Sequence, residues 1–209
     1  MSSRQAEFRL LPVTIGTAHL RKQLEAAPEL WNENPERTAH PASPHREADD
    51  IWVRFNSRDQ IGPRFSDEHR SVWYPSAAKL PAIRPIAFHL MAAVEGVELG
   101  GILITRLMDG GMVYPHTDHG WHAEYYSKFY LPVKTAPGDL FRFQSGDISP
   151  QYGQVWEFDN SCRHWVDNQS GRDRMALIIC IRTHERERRC PHFQTGFRSS
   201  QESSRTIQG

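Results

Sequence analysis

The chain has no surplus of either charge. Lys plus Arg and Asp plus Glu are both 25 in 209 residues, so no global field gathers nucleic acid or an anionic membrane, and neither is expected as a partner. No apolar run approaches the roughly 18 residues that a membrane span needs. The first residues, Met1 to Glu7, are polar where a secretory leader is apolar. A soluble, cytoplasmic protein is the expectation. Cysteine is scarce: three residues, an odd number with no CxxC pair, fit a reducing compartment better than a disulfide framework. Cys180 lies in an apolar run and reads as core. There is no internal repeat, and the length suits one domain with decorated ends.

What is present divides the chain into two parts. Residues 17–31 place Leu20, Leu24, Ala27, Leu30 and Trp31 at helical spacing behind Thr17 as a candidate cap, with Pro28 a candidate break. Residues 32–50 are rich in Pro, Asn, Asp, Ser and His without a period and predict a long loop before a strand at 51–55. Loops of this length in compact domains carry function or are disordered. A second helix is expected over 85–95, with Pro85 in its first turn. From Leu99 the text changes. LGGILITRL, MVYPH, EYYSKFYLPV, DLFRF, QVWEFD, HWVD and DRMALIICIR read as seven strands separated by turn residues. The expectation is a mainly β, double-stranded β-helix (jelly roll, cupin-like) with supporting N-terminal helices. One domain would span 1–184, loop-rich and helical over 1–97 and a β core over 98–184, with a flexible tail over 185–209.

The segment YPHTDHGWH, residues 114–122, holds three histidines and an aspartate. On an extended strand His116 and Asp118 point to one side and can ligate one ion together. An H-x-D match alone is weak, and the support comes from His164, 48 residues on and on another strand. Two imidazoles and a carboxylate on one face of an octahedral iron(II) leave three positions open, room for a keto-acid and dioxygen. His119 and His122 read as a polar loop around the mouth of the site. His19, His40, His45, His69 and His89 have no partner at ligand spacing and read as surface or satisfied residues.

Ten residues after His164, Arg174 opens an apolar strand. A guanidinium entering a buried strand is costly unless it meets an anion, and its planar fork suits a carboxylate such as the distal one of a dicarboxylic keto-acid. Arg172 would share its face and is the alternative. A salt bridge from Arg174 to Asp173 or Asp167 is the structural reading.

These residues resemble a known family. GILITRL, GGMVYPHTDHGWH, SKFYLPV and GQVWEFDNSCRHWVDNQSGRDRMALII, between Gly101 and Ile181, are similar to the aspartyl/asparaginyl β-hydroxylases among the iron(II)- and 2-oxoglutarate-dependent oxygenases. The run Phe158-Asp159-Asn160-Ser161, then His164, then Arg174 is the most specific part. The resemblance implies a hydroxylase that uses Fe(II), 2-oxoglutarate and dioxygen on an unactivated C–H bond of a free amino acid or of a peptidyl Asp/Asn-like residue, releasing succinate and CO2. It implies His116, Asp118 and His164 as the metal ligands, although animal members have glycine where this chain has Asp118. Thr105, eleven positions before His116, falls on the hydroxyl that contacts the distal carboxylate. Lys128 and Tyr130 fall on the pair that holds the keto-acid's other carboxylate. Trp121, His122, Tyr125 and Tyr126 are candidates for substrate contact. The first 95 residues carry no such likeness and are expected to hold much of the specificity.

Two rivals stand beside this reading. HTDH is half of a zinc hydrolase motif, but its leading histidine is missing and the arginine after His164 has no place there. A non-catalytic cupin-like binding module would leave the metal triad without a purpose.

Overall fold

The computed structural model describes residues 6–61 and 66–189. In chain order these form β1 (Phe8–Leu10), α1 (Ala18–Ala26), β2 (Ala48–Phe55), β3 (Val72–Trp73), α2 (Ser76–Lys79), α3 (Ile83–Ala93), β4 (Gly96–Leu107), β5 (Met112–His116), α4 (Trp121–Tyr125), β6 (Ser127–Lys134), β7 (Asp139–Phe143), β8 (Gly146–Ile148), β9 (Trp156–Phe158), β10 (His164–Asn168), β11 (Arg174–Thr183) and α5 (His184–Arg189). Short 3₁₀ turns occupy Pro28–Leu30, Pro35–Arg37 and Arg58–Gln60.

Every strand pairing is antiparallel. The strands make a seven-stranded sheet in the order β1-β9-β6-β11-β4-β2-β3 and a four-stranded sheet in the order β5-β10-β7-β8. Alternation along the central strands decides what each face meets. Met175, Leu177, Ile179 and Ile181 of β11, with Ile102 and Ile104 of β4 and Phe129, Leu131 and Val133 of β6, pack outward against Leu20 and Leu24 of α1 and Ile83, Ile86 and Leu90 of α3. The opposite face carries Ala176, Tyr130 and Leu107, which meet Val113, Phe141, Phe143 and Val166 of the smaller sheet. The result is a jelly roll whose helices cover one outer face and whose interior belongs to the residues in between. No helix among the described residues is long and apolar enough to cross a membrane.

Leu177 sits fully buried in the outward layer, between the sheet and the helices. Leu177→Ala removes its contacts and leaves a cavity, so it is expected to cost about 2–5 kcal/mol, read as a lower urea midpoint with an unchanged slope. A cost under about 0.5 kcal/mol would place this layer outside the core.

The local departures from expectation have physical reasons. The first helix stops at Ala26 because Pro28 begins a separate 3₁₀ turn. Thr17 precedes it without capping it: its hydroxyl donates instead to the Pro132 carbonyl at 2.8 Å, tying the helix to β6. Glu124 and Tyr125, expected to open a strand, instead end a helix over Trp121–Tyr125, and Gly120 enters it at φ 90°, a left-handed conformation that favours glycine. The loop-rich N-terminal part supplies β1, β2 and β3 to the large sheet. Beyond His184 the chain continues as α5, and Arg186 donates to the carbonyls of Glu124 and Ala123. The rest of the expected tail, 190–209, lies outside the described residues.

Candidate metal centre and cavity

The pairing of β5 with β10 sets His116 opposite His164. In each, Nδ1 meets a backbone carbonyl two residues back, Tyr114 at 2.7 Å and Cys162 at 2.9 Å. Such a bond fixes the ring and leaves Nε2 as the free nitrogen. The two rings stand 4.4 Å apart between centroids. Asp118 follows just beyond the end of β5, and one carboxylate oxygen lies 3.6 Å from His116 Nε2. The other oxygen is held by Lys128 Nζ. One donor atom from each of His116, Asp118 and His164 lies within 4.8 Å of the others, and among the described residues no other cluster of three donors does so.

Electrostatics favour the deprotonated donors that a metal requires. Burial opposes the charge on Asp118, but Lys128 and the two histidines hold its carboxyl well below the usual carboxylate range. Burial pushes the His164 imidazole down to about 4. His164 packs among Phe141, Phe143 and Phe158, a wall of low polarity that disfavours imidazolium. The donor set therefore fits a divalent transition metal.

These donors line a cavity of about 220 Å³ that also reaches Thr105, Lys128, Tyr130 and Arg174. One water needs only about 10–15 Å³ by such a measure, so there is room for a multi-atom ligand. Arg174 is 2% exposed. Its Nε meets Asp139 at 2.8 Å and its Nη2 donates to the Tyr130 hydroxyl at 2.7 Å. Asp139, fully buried, also accepts from the Thr135 hydroxyl at 2.8 Å. The guanidinium is thus clamped along one edge, and the residue lines the cavity.

The partners differ from both suggested salt bridges. Asp173 pairs with Lys134 and Asp167 with Arg142. Arg172 is exposed in the turn before β11. Asp139 was missed because a buried aspartate opening a strand is indistinguishable in sequence from a turn residue. Tyr130 is bonded to Arg174 and Lys128 to Asp118, and both line the cavity.

His122 lines the cavity, accepts from the Gly101 N–H at 3.3 Å and stacks on His69 at 5.3 Å. Glycine at 101 permits this approach: a Cβ there would lie 2.9 Å from the Phe55 ring and 3.1 Å from His122. Trp121, Tyr125 and Tyr126 form a stack behind it, the two tyrosines donating to Glu98. They do not line the cavity. His119 is exposed at the mouth, bonded to Thr117. His19, His40 and His89 are exposed, whereas His45 lines the cavity with its ring edge-on to His116 at 4.8 Å. No spacing rule reaches His45, because it arrives from an aperiodic loop.

Burial lowers His45 and His122 well below the ordinary imidazole value and lowers His69 as well. In the unfolded chain each would protonate near 6.5. Below about pH 6.5 the unfolded state therefore binds more protons than the folded one, and stability falls as the pH drops. The metal-free protein is expected to show a urea midpoint several tenths molar lower at pH 5 than at pH 7.5. An equal midpoint would mean that these imidazoles are solvated.

Comparison with known proteins agrees with this architecture. A family model described as Aspartyl/Asparaginyl beta-hydroxylase matches residues 21–184. Among solved structures, an oxidoreductase of the 2OG-Fe(II) oxygenase family from Burkholderia pseudomallei superposes with a TM-score of 0.58 at 15% identity, over 85% of this chain and 86% of that one. A prolyl hydroxylase in complex with a hypoxia inducible factor oxygen degradation domain peptide fragment, from Trichoplax adhaerens, gives 0.54 at 10% identity, over 87% and 86%. At these identities the likeness establishes the fold. No curated protein sequence matches the chain.

Proposed function

The chain belongs to the aspartyl/asparaginyl β-hydroxylase family, and from that premise we propose that it hydroxylates an unactivated C–H bond of an amino acid or of a peptidyl Asp/Asn-like residue, with iron(II) and 2-oxoglutarate. One observation carries the reading: two imidazoles and a carboxylate converge at one end of a cavity that a clamped, buried arginine also lines. The two halves suit one ligand: a keto-acid held at the metal would turn its distal carboxylate toward the guanidinium edge that Asp139 and Tyr130 leave free.

His116, Asp118 and His164 would hold the iron. Arg174 would take the distal carboxylate of 2-oxoglutarate through its free guanidinium edge, with Thr105 adding a hydroxyl and Tyr130 keeping the fork aligned. Lys128, bonded to Asp118, would meet the carboxylate next to the keto group. When bound, the iron and keto-acid supply the oxidising power: one oxygen atom of dioxygen enters succinate as CO2 leaves, and the other enters the substrate C–H bond. The protein's share is position and dryness. Phe141, Phe158, Val113 and Val166 line the cavity with apolar surface, so few waters compete with a bound substrate.

The test is direct. Anaerobic protein given iron(II) and 2-oxoglutarate should develop a visible charge-transfer absorbance with one equivalent of each, and a panel of amino acids and short peptides should include one that stimulates succinate release. Zinc retained through purification, with no absorbance and no succinate from any of the panel, would overturn the proposal in favour of a hydrolase.

A further inference from the structure

The loop between α1 and β2 is built, and it aims two side chains at the cavity. Its ends are joined where the Asn32 N–H donates to the Asp50 carbonyl at 2.8 Å and the Asp50 N–H donates to the Asn32 side-chain carbonyl at 3.1 Å. Its far part is fastened to the metal-bearing strand, since the Tyr114 N–H donates to the Pro44 carbonyl at 2.8 Å. In the middle, the Ser43 hydroxyl donates to the Arg37 carbonyl at 2.6 Å and accepts from the His45 N–H at 3.1 Å. One hydroxyl therefore sets the positions of both Arg37 and His45, and both line the cavity.

Arg37 is held from behind. Its Nε meets Asp50 Oδ2 at 2.7 Å and its Nη2 meets Oδ1 at 3.4 Å, with the Asp50 carboxylate fully buried. A guanidinium has five N–H donors in a planar fork, and this contact uses two, so the remaining edge is free to bind. The arrangement repeats the one at Arg174, where a buried carboxylate clamps one edge of a cavity arginine. His45 lines the same cavity with its ring edge-on to His116, and its Nδ1 is buried without a hydrogen-bond partner. A buried polar atom of this kind is costly unless something bound to the site satisfies it.

Resting on the hydroxylase reading, we infer that Arg37, with His45 beside it, is the recognition site for a carboxylate of the prime substrate. The cavity then has two arginine sites for two carboxylic acids. Arg174 serves the co-substrate, and Arg37 fixes the substrate so that a carbon near its carboxylate faces the metal. The carboxylate comes either from the α-carboxyl of a free amino acid or from an aspartyl side chain in a peptide. The favoured substrates carry an acid group, and the corresponding amides bind poorly, because an amide is neutral and loses the charge-assisted pair.

The experiment measures binding without turnover. The manganese(II) protein with 2-oxoglutarate, kept anaerobic, is titrated calorimetrically with free amino acids and their carboxamides, and with end-capped Asp peptides and their Asn counterparts. In the parent protein at least one acid is expected to bind about tenfold or more tightly than its matched amide. A preference among free amino acids identifies an α-carboxylate, and one among capped peptides identifies an aspartyl side chain. Arg37→Met should erase that preference and Arg37→Lys should retain part of it, while both keep their affinity for 2-oxoglutarate. If no acid outbinds its amide in the parent protein, or if Arg37→Met keeps the preference, the inference fails and the hydroxylase reading stands. If Arg37→Met instead loses 2-oxoglutarate, Arg37 belongs to the co-substrate and the inference is again overturned. Absence of 2-oxoglutarate binding in the parent protein would sink the hydroxylase reading itself, and this inference with it.

Discussion

Alanine at His116 or at His164 is expected to abolish iron(II) binding and turnover, a loss of at least a thousandfold, because the remaining donors are one imidazole and one carboxylate. The two variants should differ in stability. His116 keeps some solvent contact, and His116→Ala should fold with a cost near 1 kcal/mol or less. His164 fills a gap among three phenylalanines, so its removal leaves a small cavity and should cost about 1–3 kcal/mol. Metal content by elemental analysis, set beside urea unfolding, separates the lost ligand from the lost packing. A folded His116→Ala protein that still binds one iron tightly and turns over normally would remove the proposed centre.

Arg174→Ala should raise the concentration of 2-oxoglutarate required by a hundredfold or more, with little change in the requirement for the prime substrate. The magnitude follows from removing one member of a buried, charge-assisted pair. The same change strips Asp139 of its cation. Asp139 is fully buried, so Arg174→Ala should also destabilise the fold by about 3–5 kcal/mol. Arg174→Lys keeps the charge but loses the planar fork, and should give a smaller rise in the 2-oxoglutarate requirement with a milder stability loss. Pairing Arg174→Met with Asp139→Asn leaves no buried ion behind, so this double variant should recover stability without recovering co-substrate binding. A folded double variant with the parent's affinity for 2-oxoglutarate would show that the anchor lies elsewhere.

These two outcomes depend on residues that a reader of the sequence could reach. His116, Asp118 and His164 were legible because strand alternation and a second histidine on a later strand are one-dimensional patterns. Arg174 was legible because a charge at the start of MALIICI contradicts its surroundings. The seven strands between Leu99 and Arg182 all appear, since their apolar runs are set off by turn residues. What stayed hidden depends on three-dimensional closure. Asp139 and Asp50 look like ordinary turn and loop acids until a cavity arginine is laid against each. Arg37 and His45 come from a loop without period, and only the Asn32, Ser43 and Pro44 bonds give them fixed places. The short strands β1, β3 and β8 are too brief to show alternation and exist because an edge was available to them. Trp121, Tyr125 and Tyr126 followed the metal motif in sequence, but a helical turn carries them behind the cavity wall.

Asp118 is held by Lys128, so Asp118→Gly would leave that lysine without its carboxylate partner at the metal end.

The central claim is that iron at His116, Asp118 and His164 couples 2-oxoglutarate decarboxylation to oxygen transfer, and isotope labelling tests it most directly. The iron(II) protein is turned over with 2-oxoglutarate and the amino-acid and peptide panel under ¹⁸O-labelled dioxygen, and succinate and product are analysed by mass spectrometry. The account predicts succinate carrying one labelled oxygen, released in step with a product that gains the other, and neither from His116→Ala. Unlabelled succinate, or a product whose new oxygen comes only from water, would contradict it.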